Sequence, residues 1–362
     1  MACPARGKTG EKNIIIHSRK PERYKCTVCG KTFSAKAGTP FYRLHHSIDE
    51  VTCVTTLIAY GCPVQAIVAA FQIDERTVKE WQRRSGEHCQ RVHEHLIQQP
   101  QDLVHVQADE IRVKAQGRVL WLAMALMVST RLWLGGVVSQ HRDESLIREL
   151  VGLIQSSALA RPLLICVDGL RSYVTAIQAI FRSPLPARKR GRPRLIPWPD
   201  IQIGRVIKQY QGKRVMNVLR KMAQGSEDIA HALLAKSKGG TKLNTAYIER
   251  LNATFRSRLA SLARRSRALL KNPETLTPLV YLIGSVYNFC SEHKSLRLKL
   301  WIGERGYRWV RRTPAMAAGV TGHCWSVKEL LLFRVPVPAW TPPKHRGRRS
   351  AVEKALIQRW CS

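Results

Sequence analysis

Residues 103–169 narrow what this chain can fold into more than any other stretch. LVHVQADEIRVK (103–114), VLWLAMALMVS (119–129) and LWLGGVVS (132–139) are apolar runs joined by turns so short that the strands must pair antiparallel. A helical pattern follows in ESLIRELVGLIQSS (144–157). LLICVDG (163–169) then reads as a strand buried on both faces, and SYVTAIQAIFR as the next helix. The run at 119–130 breaks at Arg131, too early for a membrane helix, and is read as two paired strands.

Three antiparallel strands, a helix, a parallel strand and a helix follow the order of a ribonuclease-H-like α/β core. A mixed five-stranded sheet with helices is therefore expected over residues 99–300. In such a sheet the first strand is central and the fourth lies beside it in parallel. Asp109, in QADE, and Asp168, ending LLICVDG, would then meet at one sheet edge, where a later helix carrying Glu249 can cross. Three carboxylates there can hold two Mg²⁺ ions about 3.5 to 4 Å apart, because hard cations prefer oxygen ligands. Each residue has a plainer alternative. Glu110 could be the ligand in place of Asp109, Asp168 before Gly169 could only form a turn, and Glu249 could be an isolated surface charge.

Sixty Lys and Arg against 25 Asp and Glu leave a formal charge of +35, spread along 362 residues. That field points to a polyanion, most simply nucleic acid, ahead of a membrane surface or a ribosome. No basic segment followed by an apolar core opens the sequence, so a cytoplasmic protein with reduced thiols is expected.

Residues 1–40 read as a zinc-ribbon-like segment. RYKCTVCGKTFS places Cys26 and Cys29 two residues apart with Gly30 behind them, and Cys3 is the only upstream thiol, with His17 the only upstream imidazole. Residues 41–98 read as a helix-turn-helix region. Pro63 can start one helix, with Ile67, Val68 and Phe71 inward, and Asp74 can cap a second with Val78 and Trp81 inward. Arg76, Thr77, Lys79 and Arg83 then face out, as a recognition helix would present them to DNA, although any solvated helical hairpin could do the same. A basic insertion at 187–199 carries Arg190 and Arg192 in RGRP, either an arm for a narrow minor groove or a plain basic loop. IQIGRVIKQYQGKRV reads as a strand or hairpin, and 214–240 as helical and then looped. Residues 301–362 form a C-terminal extension, peripheral beyond about 338.

NTAYIERLNATFRSRLASLARRSR (244–267) has one glutamate among arginines. Read as one helix, Glu249 shares a face with Arg256 and Arg267, with Arg264 nearby, while Tyr247, Leu251, Phe255 and Leu259 line the other side. The expected face is a metal-binding carboxylate followed by phosphate-binding arginines. His45 and His46 are read as loop residues, and Cys166, Trp121, Trp133, Trp301 and Trp325 as core. His293 is open between a phosphate contact and a capping or packing role.

At RYKCTVCGKTFS, VQADE, CVDGLRSY, KRGRPRL, NTAYIERLNATFRSRL, YNFCSEHKSLR and TPAMAAGVTGHCWSVKELL the chain resembles bacterial insertion-sequence transposases of the DDE type with an N-terminal zinc ribbon and helix-turn-helix. The resemblance implies that Asp109, Asp168 and Glu249 form the triad, with Mg²⁺ or Mn²⁺ as cofactor. It implies double-stranded DNA, both element ends and target, as substrate, cut to free a 3′-hydroxyl that attacks the target. Two or more subunits with paired ends, acting on the bacterial nucleoid, are implied as well. The chain departs from that pattern in lacking the ribbon's leading cysteine. A non-catalytic DNA-binding regulator and a nuclease that cuts without joining are the rival readings.

Overall fold

The computed structural model describes residues 3, 13–20, 22–185, 193–212, 214–264, 268–303, 306–337, 341–342, 344 and 347–361. In chain order the elements are β1 (Ile14–Arg19), β2 (Glu22–Cys26), β3 (Thr32–Ser34), α1 (Ile48–Ala59), α2 (Val64–Phe71), α3 (Glu75–Leu96), β4 (His105–Ala115), β5 (Arg118–Met127), β6 (Leu132–Ser139) and α4 (Glu144–Ser156). They continue with β7 (Leu163–Val167), α5 (Arg171–Ile180), β8 (Arg182–Pro184), β9 (Leu195–Pro197), β10 (Ile201–Gln211), β11 (Arg214–Gln224), α6 (Glu227–Lys236), α7 (Ala246–Arg258) and α8 (Leu276–Ser285). β12 (His293–Trp301), β13 (Tyr307–Arg312), α9 (Pro314–Ala317), α10 (Val327–Leu332) and α11 (Ala351–Cys361) complete the chain. Two compact units result, Met1–Val51 with Leu331–Ser362, and Thr52–Leu330.

The larger unit is mixed α/β around a six-stranded sheet in the order β11-β10-β7-β4-β5-β6. β4, β5 and β6 form an antiparallel meander, and β7 lies parallel to β4 and to β10. The sixth strand corrects the expectation of five. It is β11, from the stretch read as helical, which pairs with β10 along its length. Its side chains are mostly exposed. A strand needing only a partner's backbone hydrogen bonds shows little apolar alternation, so its pattern reads as an exposed helix.

Residues opposite one another on paired strands share a face. The face bearing Gln107, Met124 and Trp133 is covered by α3, α7 and α8. Trp133 packs on Phe255 of α7, Tyr281 of α8 and His93 of α3, with ring centroids 5.7, 5.3 and 4.6 Å away. Val104, Leu164, Cys166 and Val206 meet α6 through Ala230, Leu233 and Leu234. On the opposite face α4 is pressed close enough that a side chain at Gly135 would meet Leu153 at 2.7 Å.

α2 and α3 are joined through Gln72, in the left-handed conformation, and Asp74 caps α3 by accepting from the Arg76 amide. Ile67, Val78 and Trp81 are buried. α3 then runs on for 22 residues, and its second half is buried through Ser85, Gly86, His88, Cys89, Val92 and His93. The same helix thus presents exposed cations at its start and a core seam at its end.

In the smaller unit β1, β2 and β3 form an antiparallel three-stranded sheet. The described part of the tail is mostly exposed, and within this unit Leu356 of α11 packs against Cys3 and Cys26. No helix among the described residues is long and apolar enough to cross a membrane.

Candidate active site and thiol cluster

β7 pairs with β4 only as far as Gln107 opposite Cys166. Beyond that point the flank of β4 opens, and Asp109 and Glu110, which a strand sends to opposite faces, both reach toward Asp168 at the end of β7. The three residues each place a carboxylate oxygen within 4.8 Å of the others, a group that could hold a metal ion. Asp109 accepts from Asn252 Nδ2 of α7 at 2.7 Å. On the other face Arg142, from the turn before α4, donates to Glu110 at 2.7 Å and to Asp168 at 3.4 Å. Asp168 also accepts from the Leu170 amide at 2.8 Å, which fixes the turn into α5.

Burial, then the neighbouring Glu110 and Asp168 carboxylates, push Asp109 up to about 7. Burial also raises Glu110, with Asp168 adding to the effect and the Tyr173 and Arg142 side chains opposing it. The Glu110 side chain is 1% exposed, held between Arg142 and the Tyr173 side chain. The cluster concentrates more negative charge than its protein partners neutralise, as a cation site does.

The carboxylates line a ≈ 750 Å³ cleft together with Lys208, Glu249, Arg256 and Arg264. Glu249 stands in the first turn of α7, outside the group of three, and its carboxylate accepts from Lys208 of β10 at 2.5 Å and from Thr245 at 2.8 Å. α7 is anchored to the sheet by Gln107, whose Oε1 accepts from the Tyr247 and Ile248 amides and whose Nε2 donates to Asn244.

Asp109 and Asp168 are therefore brought together, and Glu249 and Arg256 share the cleft seven residues apart on one helix face. The single long helix expected over 244–267 is corrected: α7 ends at Arg258, where Leu259 is extended. Arg264 reaches the cleft from beyond a short turn, not from the helix. Of the expected apolar side Leu251, Phe255 and Leu259 are buried, together with Ile248 and Asn252, whereas Tyr247 is half-buried beneath the Arg131 guanidinium, 3.8 Å from its ring. Arg190, Arg192 and Arg267 lie outside the described residues.

Arg142, Lys208 and Asn252 were not legible as site residues. Glu110 carried a signal, since DE on a strand offers a carboxylate to each face. On α3, Arg76, Lys79 and Arg83 are exposed and Thr77 is half-buried. Lys79 pairs with Glu75 at 2.6 Å, and Arg83 with Glu80 and Glu87 at 2.8 and 2.5 Å. Exposed pairs of this sort are weak, so a phosphate can displace them.

Among the expected core residues, Cys166 and Trp133 are buried and Trp325 stacks on Phe289 at 4.7 Å. Trp121 is half-buried, with Arg142 5.1 Å over its ring. Trp301 is 70% exposed, which corrects its core reading. His293 begins β12 and packs edge-on to Tyr287 at 4.7 Å, a packing role.

In the smaller unit Cys3, Cys26 and Cys29 place their sulfurs within 4.8 Å of one another, a second group that could hold a metal ion. Cys26 ends β2, and Gly30 at φ 73° returns the chain so that its amide donates to the Cys26 carbonyl. Burial raises the Cys26 thiol, but the backbone amides of Cys29 and Val28 and the other two thiols outweigh it and hold the group below its ordinary value. His17 is exposed on β1 and is not part of the group. No protein-family model matches this chain, and no curated protein matches it in sequence.

Proposed function

We propose that this chain is a DNA transposase of the DDE type, which binds the terminal repeats of an insertion sequence and carries out metal-dependent strand cleavage and strand transfer. The observation that carries the reading is the meeting of Asp109 and Asp168, from adjacent parallel strands, in a cleft whose other wall holds Glu249 and Arg256. The sheet order, with the first strand of a meander central and the next strand parallel beside it, supports a ribonuclease-H-like core.

Three carboxylates with oxygens within 4.8 Å of one another and one guanidinium between them fit a divalent cation at Asp109, Glu110 and Asp168, with Glu249 across the cleft. Mg²⁺ or Mn²⁺ bound there supplies Lewis-acid activation of the attacking oxygen and stabilisation of the leaving one. The protein's own part is positioning. Arg256, Arg264 and Lys208 hold backbone phosphates, and a phosphate that takes Lys208 releases Glu249 toward the reacting centre. Arg142 keeps Glu110 and Asp168 at fixed separation, and Asn252 orients Asp109. Assembly of two or more copies on paired ends, on the nucleoid, follows from the same reading.

The test is a strand-transfer assay with a labelled duplex of the flanking element end in Mg²⁺ or Mn²⁺. Joined product from wild type, reduced by at least about two orders of magnitude in Glu249→Gln, is expected. Binding without cutting by the wild type would favour the regulator reading, and cutting without joining the nuclease reading.

The thiol cluster fits three of the four positions of a tetrahedral Zn²⁺ site. Tetrahedral zinc with bonds of about 2.3 Å sets its sulfurs about 3.8 Å apart, and Cys3 Sγ lies 3.6 Å from Cys29 Sγ. Purified protein is expected to carry about one zinc per chain, and Cys26→Ser to lose most of it. Equal zinc in both proteins, by elemental analysis, would remove the cluster from consideration.

A further inference from the structure

β12 and β13 form a two-stranded ribbon that exposes apolar surface no core explains. Lys299 lies opposite Trp309, and Trp301 opposite Tyr307, so these four share one face. Trp301 is 70% exposed, Tyr307 50% and Trp309 41%. Their rings meet edge to face, Trp301 to Tyr307 and Tyr307 to Trp309, each with centroids 5.7 Å apart. Cations are threaded between them. The Arg297 guanidinium sits 4.0 Å over Trp309, and Lys299 Nζ lies 3.9 Å from Tyr307 and 4.5 Å from Trp301.

The ribbon is anchored at its base, where Leu296 is buried and its carbonyl accepts from Arg312 Nε at 2.8 Å. Its far end, toward Trp301 and Tyr307, is exposed on both faces, with Leu298 at 43% and Leu300 at 50% on the side away from the rings. A two-stranded ribbon is marginal by itself, so a ring cluster held at its tip calls for an occupant.

The charge selects that occupant. Neither strand contains an acidic residue, while Lys294, Arg297, Lys299, Arg308, Arg311 and Arg312 are all basic. A second copy of the ribbon would bring like charge against like. A polyphosphate with exposed π-faces suits both features, because bases stack on aromatic rings while cations hold the backbone. A duplex keeps its base faces inside its own stack, so the fitting form is unpaired.

We propose that the Trp301–Tyr307–Trp309 face of this ribbon binds unpaired DNA, stacking bases on the rings while Arg297 and Lys299 hold phosphates. The proposal rests on the DNA-acting reading only for the identity of the polymer. It assigns the ribbon a separate site, apart from the carboxylate cleft, for strands that have come unpaired.

The experiment is fluorescence anisotropy of a labelled oligo(dT) with full-length protein in chelator, beside a labelled duplex of equal length. Trp301→Ala is expected to weaken oligo(dT) binding roughly tenfold, and the double variant Trp301→Ala, Tyr307→Ala more, with duplex affinity nearly unchanged. Trp301→Phe, which keeps a ring, should retain most of the affinity. Unchanged oligo(dT) binding by the double variant, equal losses for oligo(dT) and duplex, or a changed oligomeric state with oligo(dT) binding intact would each overturn the proposal. Should the alanine variants fail to fold, photo-crosslinking of halogenated oligo(dU) to the wild type decides it. Adducts on the three rings support the site, and adducts elsewhere reject it. Because binding is read without metal, a protein that captures oligo(dT) but never cuts DNA would sink the proposed function and keep this site.

Discussion

Asp109→Asn is expected to make the metal-free protein more stable above pH 7 while ending the metal-dependent DNA cleavage proposed for it. Asp109 is crowded by Glu110 and Asp168 in a half-buried site that pushes it up to about 7. A carboxyl raised in the native state above its unfolded value near 4 favours the native state most at low pH. Stability is lost as pH rises from about 4 to about 7, and the full cost stands above 7. The asparagine carries no charge, and its carbonyl can still accept from Asn252. A shift of about three units bounds the gain near 4 kcal/mol, and solvent at the cleft mouth reduces it to on the order of 2 kcal/mol. Thermal melts in chelator at pH 8 should show the variant several degrees above wild type, the gap narrowing as pH falls toward 4. A variant that melts at or below wild type at pH 8 would show that the three carboxylates do not repel one another as placed.

The largest loss of stability is expected from Gly86→Ala. A methyl at Gly86 would stand 2.2 Å from the Pro278 carbonyl oxygen and 2.5 Å from its carbon, where α3 crosses α8. Both atoms are backbone, so no side chain can swing aside and the helices must part. Alanine is the better helix former by about 1 kcal/mol, so intrinsic propensity predicts stabilisation. The crossing predicts a cost on the order of 2 to 4 kcal/mol, and the sign decides between them. Gly152→Ala in α4, whose methyl would meet nothing within 4 Å, supplies the control and should be neutral or stabilising. Urea unfolding of the two variants makes the comparison, and a stable Gly86→Ala protein would mean that α3 and α8 do not cross as closely as described.

Much of the sheet could be read from the chain because its strands are solvent-poor. LLICV is apolar throughout since both faces of β7 are covered, and the β4–β6 meander is set by its short turns. β11 was missed because pairing at a sheet edge asks little of side chains, and RVMNVLRKMAQ contains good helix formers. α7 was overextended because Arg-rich sequence continues past Arg258 in a pattern that favours helix, while the backbone turns away at Leu259. Within the site, Asp109 and Asp168 could be placed because one lies within a strand and the other directly follows one, and strands are local features. Arg142, Lys208 and Asn252 could not, since each reaches the carboxylates through packing between distant segments. Trp301 was assigned to the core on residue type alone, and a hairpin tip has no core to offer.

Asp109 and Asn252 touch across a sequence separation of 143 residues, whereas the β4–β6 meander closes through neighbours. Contacts between distant segments must first meet the entropy of closing a long loop, so local hairpins form early and distant pairings late. During synthesis the first carboxylate therefore emerges, folds into its strand and waits, while α7 is still untranslated. A nascent or prematurely ended chain that stops before α7 contains all six strands of the sheet but has no helix to close the cleft. The cleft is therefore completed in one step, once α7 has been made, and on the proposed DNA-cutting reading a chain that stops before that point cannot cut.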